Sequence, residues 1–359
     1  MGVPDNPCMS PHAPDSIARL SPNTLGWTAA VVTVLIWTSF IVIARASADP
    51  SRGGVLNPFD IVYARLCGAG LFLLPWGLWL NWRDRMRSEE QGVVQDKAFG
   101  SLGGLSPLPL ATTVQAGLFG GLLYATLAYN GFVFAPAAHA SVLMPGSLPL
   151  WTALLALALL GERITVTRAL GLVLIVGGDL LVGGASLLHA FDGSGVWRGD
   201  VLFMLAAFVW SVYSVLVRRW RLDAVRATIA ITAFTFVVYV PAYTVLALTH
   251  GVSGQVFTAP WQDVLFQMAF QGVGSVVISG ITFTKMIQYF GPVRSTMITA
   301  LVPGLSAIAA ALFLNEPLPW NLLAGLALVT SGIFFGVRAA TQVATKNGAV
   351  GAVPAGIKP

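Results

Sequence analysis

Charge is what this sequence has least of. Only 10% of its 359 residues are Asp, Glu, Lys or Arg, 56% are apolar, and the mean hydropathy is +0.76. Soluble chains carry about a quarter charged residues, so an ordinary soluble domain is excluded. Cysteine is scarce too: Cys8 in the N-terminal tail and Cys67 inside an apolar run make a disulfide framework unworkable. The four histidines are scattered. No G-x-x-x-x-G-K-[ST] phosphate loop, H-E-x-x-H, C-x-x-C or cavity-facing pair of carboxylates occurs. No cofactor or metal is therefore implied. A net charge of +5 raises nucleic acid as a partner, but the basic residues flank the apolar runs, which is a topology signal.

What the chain has in quantity is oil. About 20 apolar residues cross a bilayer core as a helix, and ten such runs follow one another: Leu25–Ile43, Phe59–Leu80, Ala111–Phe134, Ala137–Leu160, Val166–Val182, Val201–Leu216, Ala227–Leu248, Val264–Tyr289, Val293–Leu314 and Asn321–Val337. An A-x-A-like spacing in ARASADP (44–50) suggests a cleaved signal peptide. The internal repeat argues against it, because cleavage would leave one half a helix short. Pro-, Gly- and Ala-rich tails (1–22 and 341–359) read as disordered, and 81–110 as a linker.

The repeat is direct. Shifting the chain by 154 (316 less 162) lays 141–178 over 295–332 without a gap and pairs Glu162 with Glu316, Gly171 with Gly325 and Gly178 with Gly332. The first and sixth runs pair Gly26/Gly199, Trp37/Trp210 and Arg45/Arg218, and Pro75 pairs with Pro241. The chain thus divides into five-helix units at 23–185 and 196–340. Five is odd, so two like-folded halves must cross the membrane in opposite senses, as in transport folds with a site near the midplane. Of the 20 Lys and Arg, only Arg45, Arg52 and Arg198 fall on one side, and Arg65 and Lys285 lie inside runs. The positive-inside rule then puts both termini in the cytoplasm and the chain in the inner membrane.

Several stretches resemble the EamA-type proteins of the drug/metabolite transporter superfamily. They are IWTSFIVIAR, NPFDIVYARL and PLWTALLALALLGERITVTRALGLVLIVGG, with the second-half counterpart PGLSAIAAALFLNEPLPWNLLAGLALVTSG. The resemblance runs over nearly all of 25–338. It implies an all-α integral membrane protein of ten transmembrane helices in two inverted five-helix repeats, moving small organic solutes, with export favoured. The chain departs from the family pattern at Thr38 and Ser211, where a glycine is usual, and at Ile231, the counterpart of Arg65.

Candidate site residues follow from cost. A charge inside a bilayer is expensive and marks function by default, so Arg65 either faces a cavity or snorkels outward toward Asp60. Asp179 is a candidate proton relay or a wetted interface residue, and His139 a wetted helix end. Trp37 and Trp210 lie mid-helix, where they pack or stack on a flat solute. Tyr124 and Tyr213 are further cavity-lining candidates. On the eighth run Gln267, Gln271, Ser275, Ile278, Thr282, Lys285 and Tyr289 share one helical face, and such a polar stripe must face protein or water. The equivalent third-run face is mostly small, with Gly117, Gly121, Ala128 and Gly131. Glu162 and Glu316 read as structural caps for the helix that follows each. The expected partners are a small-molecule substrate, the lipid bilayer and a coupling proton. An amino-acid-like or aromatic cargo is favoured. The alternatives are an anionic sugar phosphate or nucleotide sugar, a passive channel, or a lipid-modifying membrane enzyme.

Overall fold

A computed structural model describes residues 22–90, 100–162, 164–190, 193–249 and 254–346. Most of the two tails, Arg163 and part of the 81–110 linker lie outside these. Among the described residues there is no strand, only an isolated bridge between Ser101 and Ser106. Helix is the expected outcome, because a chain with so few polar side chains must satisfy its backbone within each segment.

Eight helices are long and apolar enough to cross a membrane: α1 (Asn23–Ala48), α2 (Pro58–Glu90), α3 (Leu110–Phe134), α4 (Ala137–Leu160), α5 (Val166–Leu188), α6 (Val196–Trp220), α7 (Ala224–Thr249) and α8 (Trp261–Phe290). Two shorter apolar helices follow, α9 (Val302–Leu314) and α10 (Trp320–Gly336). The ninth run is therefore shorter than expected. The helical backbone continues from Ser279 to Thr299, and α9 starts only at Val302, with Pro303 in its first turn, where the missing N–H costs nothing. Thirteen residues rise about 20 Å, less than the ~30 Å of a bilayer core. At the other end, helix persists to Lys346, into the stretch read as a tail.

The contacts are reciprocal between the halves. A Cβ on Gly171 would stand 2.6 Å from the Gly332 carbonyl oxygen, and one on Gly332 would stand 2.5 Å from that of Gly171. Gly178 and Gly325 block one another in the same way, at 2.5 and 2.8 Å. Gly171 touches Gly332, the counterpart of Gly178, and Gly178 touches Gly325, the counterpart of Gly171, so α5 and α10 run antiparallel. Two bodies related by a two-fold axis make contacts of this kind. Only glycine allows backbones so close.

The same exchange holds elsewhere. Gly68 on α2 abuts Met268 on α8, and Gly117 on α3 abuts Phe234 on α7. The turns that end α4 and α9 also correspond. Gly161 (φ 67°) and Asn315 (φ 51°), again 154 apart, are both left-handed, a conformation that glycine adopts freely and asparagine better than most.

Four helices contain π-helical segments: Leu118–Leu123 in α3, Val142–Gly146 in α4, Leu180–Gly184 in α5 and Met268–Ile278 in α8. Shifted by 154, the first falls on 272–277, inside the last. Such wide turns displace a helix face and leave carbonyls less fully bonded, and they gather at functional sites.

Candidate functional site

Arg65 lies seven residues into α2, about 10 Å from its start by helix rise. Its guanidinium is half-buried. Nη1 donates to the Tyr129 hydroxyl on α3 at 3.3 Å and to Ser275 Oγ on α8 at 3.2 Å. Tyr129, itself buried, donates to Gln271 Oε1 at 2.9 Å. The Phe40 ring of α1 lies 5.7 Å from the guanidinium carbon, a cation–π contact. Arg65 does not turn toward Asp60. That carboxylate is fully buried and already accepts from the Tyr243 hydroxyl and from the Asn57 and Val256 backbone N–H groups. Among the described residues no carboxylate lies within ion-pair distance of Arg65.

Close helix packing sets this geometry. A Cβ on Gly272 would sit 2.8 Å from the Arg65 carbonyl oxygen, so α2 and α8 touch backbone to backbone beside the cluster. The π segment of α8 turns Gln271 and Ser275 toward α2 and α3. It also breaks the 3.6-residue period on which the stripe was drawn. Gln267 remains inside, donating to Ser47 at 2.8 Å, and Thr282 shares a hydrogen bond with Thr33 of α1 at 2.8 Å. Ile278, Lys285 and Tyr289 are exposed. Lys285 takes no part in the cluster.

Aromatic side chains continue from the cluster in two groups. Trp37 tilts against Phe283 with centroids 5.1 Å apart, and Trp210 touches Tyr124 at 4.7 Å and Tyr213 at 5.2 Å. All five are partly exposed. These contacts are packing between side chains of neighbouring helices. A groove of about 490 Å³ along the first turns of α1, lined by Asn23, Trp27, Thr28 and Val31, holds no charged side chain.

One turn beyond Tyr129, α3 meets an ionic cap. Arg45 at the end of α1 donates to the Phe132 carbonyl, pairs with Asp49 at 2.8 Å and reaches Glu316 at 3.4 Å. Glu316 also accepts from the Ala137 and Ala138 backbone N–H groups at 3.1 and 3.2 Å. It caps a helix as expected, but the helix is α4 in the other half, not α10. Burial disfavours the Asp49 carboxylate. Hydrogen bonds from Ser51 and the charges of Arg45 and Arg52 outweigh that and hold it below the usual carboxylate range.

Arg218 and Glu162, the counterparts of Arg45 and Glu316, also bond one another, at the opposite end of the helices. There the side chains are 48% and 32% exposed, against 13% and 5% for Arg45 and Glu316. Glu162 does not cap α5. Thr165 does, accepting from the Arg168 backbone N–H at 3.3 Å, while Glu162 lies 3.6 Å from the Arg168 guanidinium.

Asp179 is not wetted. It is buried, and neither carboxylate oxygen has a hydrogen-bond partner among the described residues. His139 is not a free helix end either: its Nδ1 lies 3.0 Å from Asp200, which also accepts from Ser186. Among the described residues no group of His, Cys, Asp and Glu is placed to hold a metal ion. Tyr129, Phe40 and Asp49 were not singled out from sequence. Tyr129 carried one signal, since its repeat counterpart, Phe283, is aromatic too.

The EamA-like transporter family model matches residues 24–184 and again 197–338. The chain is 27% identical over 314 residues to a WAT1-related chloroplastic protein of Arabidopsis thaliana, covering 86% of this chain and 69% of that one. It is 25% identical over 223 residues to the transporter YcxC of Bacillus subtilis, covering 59% and 69%. A solved crystal structure superimposes with a TM-score of 0.54 at 20% identity, covering 89% of this chain and 98% of the other.

Proposed function

The chain belongs to the EamA-like transporter family, and from that premise we propose that it is a secondary carrier. It moves a small organic solute, amino-acid-like or aromatic, across the inner membrane by alternating access between two inverted halves. The observation that carries this reading is Arg65. A guanidinium costs several kcal/mol inside a bilayer, yet this one is held by two hydroxyls and an aromatic ring, and among the described residues no carboxylate neutralises it. That is an arrangement for receiving a solute.

The two Arg–Glu pairs supply the switch. Arg45–Glu316 is buried and reinforced by Asp49 and two backbone N–H groups; Arg218–Glu162 is half exposed. In this reading each pair closes one end of the path, and the described conformation is shut on the Arg45 side. The opposite conformation exchanges their roles, burying Glu162 and releasing Glu316. With its oxygens unpartnered, Asp179 is the candidate carrier of a coupling proton. Export is the favoured direction.

The test is counterflow of labelled solute in proteoliposomes, after a metabolite-resistance screen of cells with and without the protein has supplied the solute. A carrier shows counterflow, and Arg65→Gln abolishes it at unchanged membrane abundance. Equilibration with no counterflow overturns the reading in favour of a channel, and chemical conversion of the solute in favour of a membrane enzyme.

A further inference from the structure

We infer that the solute carries one ionised carboxylate, held by Arg65 beside the Gln271 amide, and a flat apolar body lying toward the aromatic side chains of α1 and α8. This rests on the carrier reading above and narrows its cargo.

Donors outnumber acceptors at the cluster. Nη1 of Arg65 has both its hydrogens bonded, to Tyr129 and Ser275. Nη2 and Nε have no protein acceptor among the described residues. Because Arg65 donates to the Tyr129 hydroxyl, that hydroxyl's own hydrogen goes to Gln271 Oε1. The amide therefore presents its nitrogen away from Tyr129, and this nitrogen, fully buried, has no acceptor either. Such a set is complemented by a planar two-oxygen acceptor, which a guanidinium fork binds through two parallel hydrogen bonds.

The charge at the cluster sets the charge of the ligand. Arg65 is the cation bonded there, and Lys285 is exposed and ten residues beyond Ser275, about 15 Å by helix rise. A phosphate monoester carries about −1.5 to −2 at neutral pH and would leave uncompensated negative charge. A zwitterion fits poorly for the opposite reason: no carboxylate bonds any of the four cluster residues, so its ammonium would have no partner.

The repeat supplies an internal control. Arg65, Tyr129, Gln271 and Ser275 correspond to Ile231, Phe283, Gly117 and Gly121. None of these four has a polar side chain. The places still correspond in space: a Cβ on Gly121 would stand 2.8 Å from the Ile231 side chain, where Ser275 bonds Arg65. One half is ionic at this position and the other is apolar. A solute with one charged end and one apolar end matches both.

The experiment is calorimetric binding at pH 7 to the full chain in nanodiscs, with phenylacetate, phenylacetamide and phenyl phosphate as probes. Phenylacetate is expected to bind at least tenfold more tightly than either of the others. Arg65→Gln should erase that preference, bringing phenylacetate affinity down to that of phenylacetamide while the melting temperature stays at the wild-type value, which mere structural damage would not do. Should Arg65→Gln fail to fold, Gln271→Leu decides, with a loss of several-fold for phenylacetate alone. Equal or tighter binding of the amide or the phosphate, no binding of any probe, or a preference that survives these substitutions overturns the inference. Counterflow is read separately. Probe binding without counterflow of any solute would defeat the carrier reading and leave the anion site standing. Counterflow indifferent to Arg65 would do the reverse.

Discussion

At the scale of single residues, the two glutamates that look alike in sequence differ in what surrounds them. Glu316 is buried against Arg45 and two backbone donors, so neutralising it strands a guanidinium; Glu162 sits half in solvent. Breaking a buried pair costs about 3 kcal/mol, an exposed one less than about 1 kcal/mol. Glu316→Gln is therefore expected to lower denaturant stability in micelles far more than Glu162→Gln, and equal losses would contradict the burial difference. Asp49 adds a pH signature. Its folded pKa lies below its unfolded one, near 3.9, so its contribution is complete above the unfolded value. It disappears as pH falls through the folded one. Melting of the wild type should show no Asp49-dependent change from pH 8 to 5. Below about pH 4 the gap between wild type and Asp49→Asn should close; a gap already closing at pH 6 would place the carboxyl elsewhere.

At the scale of helices, contact between backbones decides most of the outcome. A Cβ on Gly68 would fall 2.1 Å from the Met268 carbonyl oxygen, whereas nothing lies within 4 Å of one on Gly304. Overpacking costs about 1–3 kcal/mol, and Ala is better than Gly in a helix by about 1 kcal/mol. Gly68→Ala should thus destabilise and Gly304→Ala be neutral or stabilising, as thermal melts of the two purified variants would report. Labelling with a membrane-impermeant thiol reagent, in a chain lacking Cys8 and Cys67, probes α8 directly. Ser275→Cys is half-buried and expected to react, while Gln271→Cys, at a fully buried position, is expected to react slowly until the site opens. The reverse order would mean that the π segment faces another way. The helices and their repeat were legible because apolar length and the 154-residue shift are properties of sequence alone. The stripe on α8 was legible at Gln267, Gln271, Ser275 and Thr282 but not at Ile278, Lys285 and Tyr289, because a π segment changes the turn without changing which residue types appear. Arg65 announced itself by its cost. Its partner Tyr129 did not, since a tyrosine on a membrane helix reads equally as packing. The wetted readings of Asp179 and His139 failed because position along a helix tells nothing about which neighbour covers a side chain.

On the scale of the whole molecule, the alternating-access reading requires the two ends of the proposed path to respond oppositely to one perturbation. If the pairs at Arg45–Glu316 and Arg218–Glu162 trade places during transport, Glu316→Gln should shift the population toward opening on the Arg45 side and Glu162→Gln toward opening on the other. Reactivity of single cysteines placed at the two mouths would follow each shift. A shift in the same direction for both variants would mean that the pairs are not exchanged. The antiparallel crossing of α5 and α10 behaves differently. Its two contacts, Gly171 with Gly332 and Gly178 with Gly325, change into one another when the halves are interchanged, and unlike the two Arg–Glu pairs they are already alike, at 2.5 to 2.8 Å. If the proposed exchange of conformations swaps the halves, two contacts already alike keep their geometry while two unlike pairs trade theirs. In that reading the crossing is a stator: fastening α5 to α10 there should leave turnover intact, while fastening Arg45 to Glu316 should arrest it.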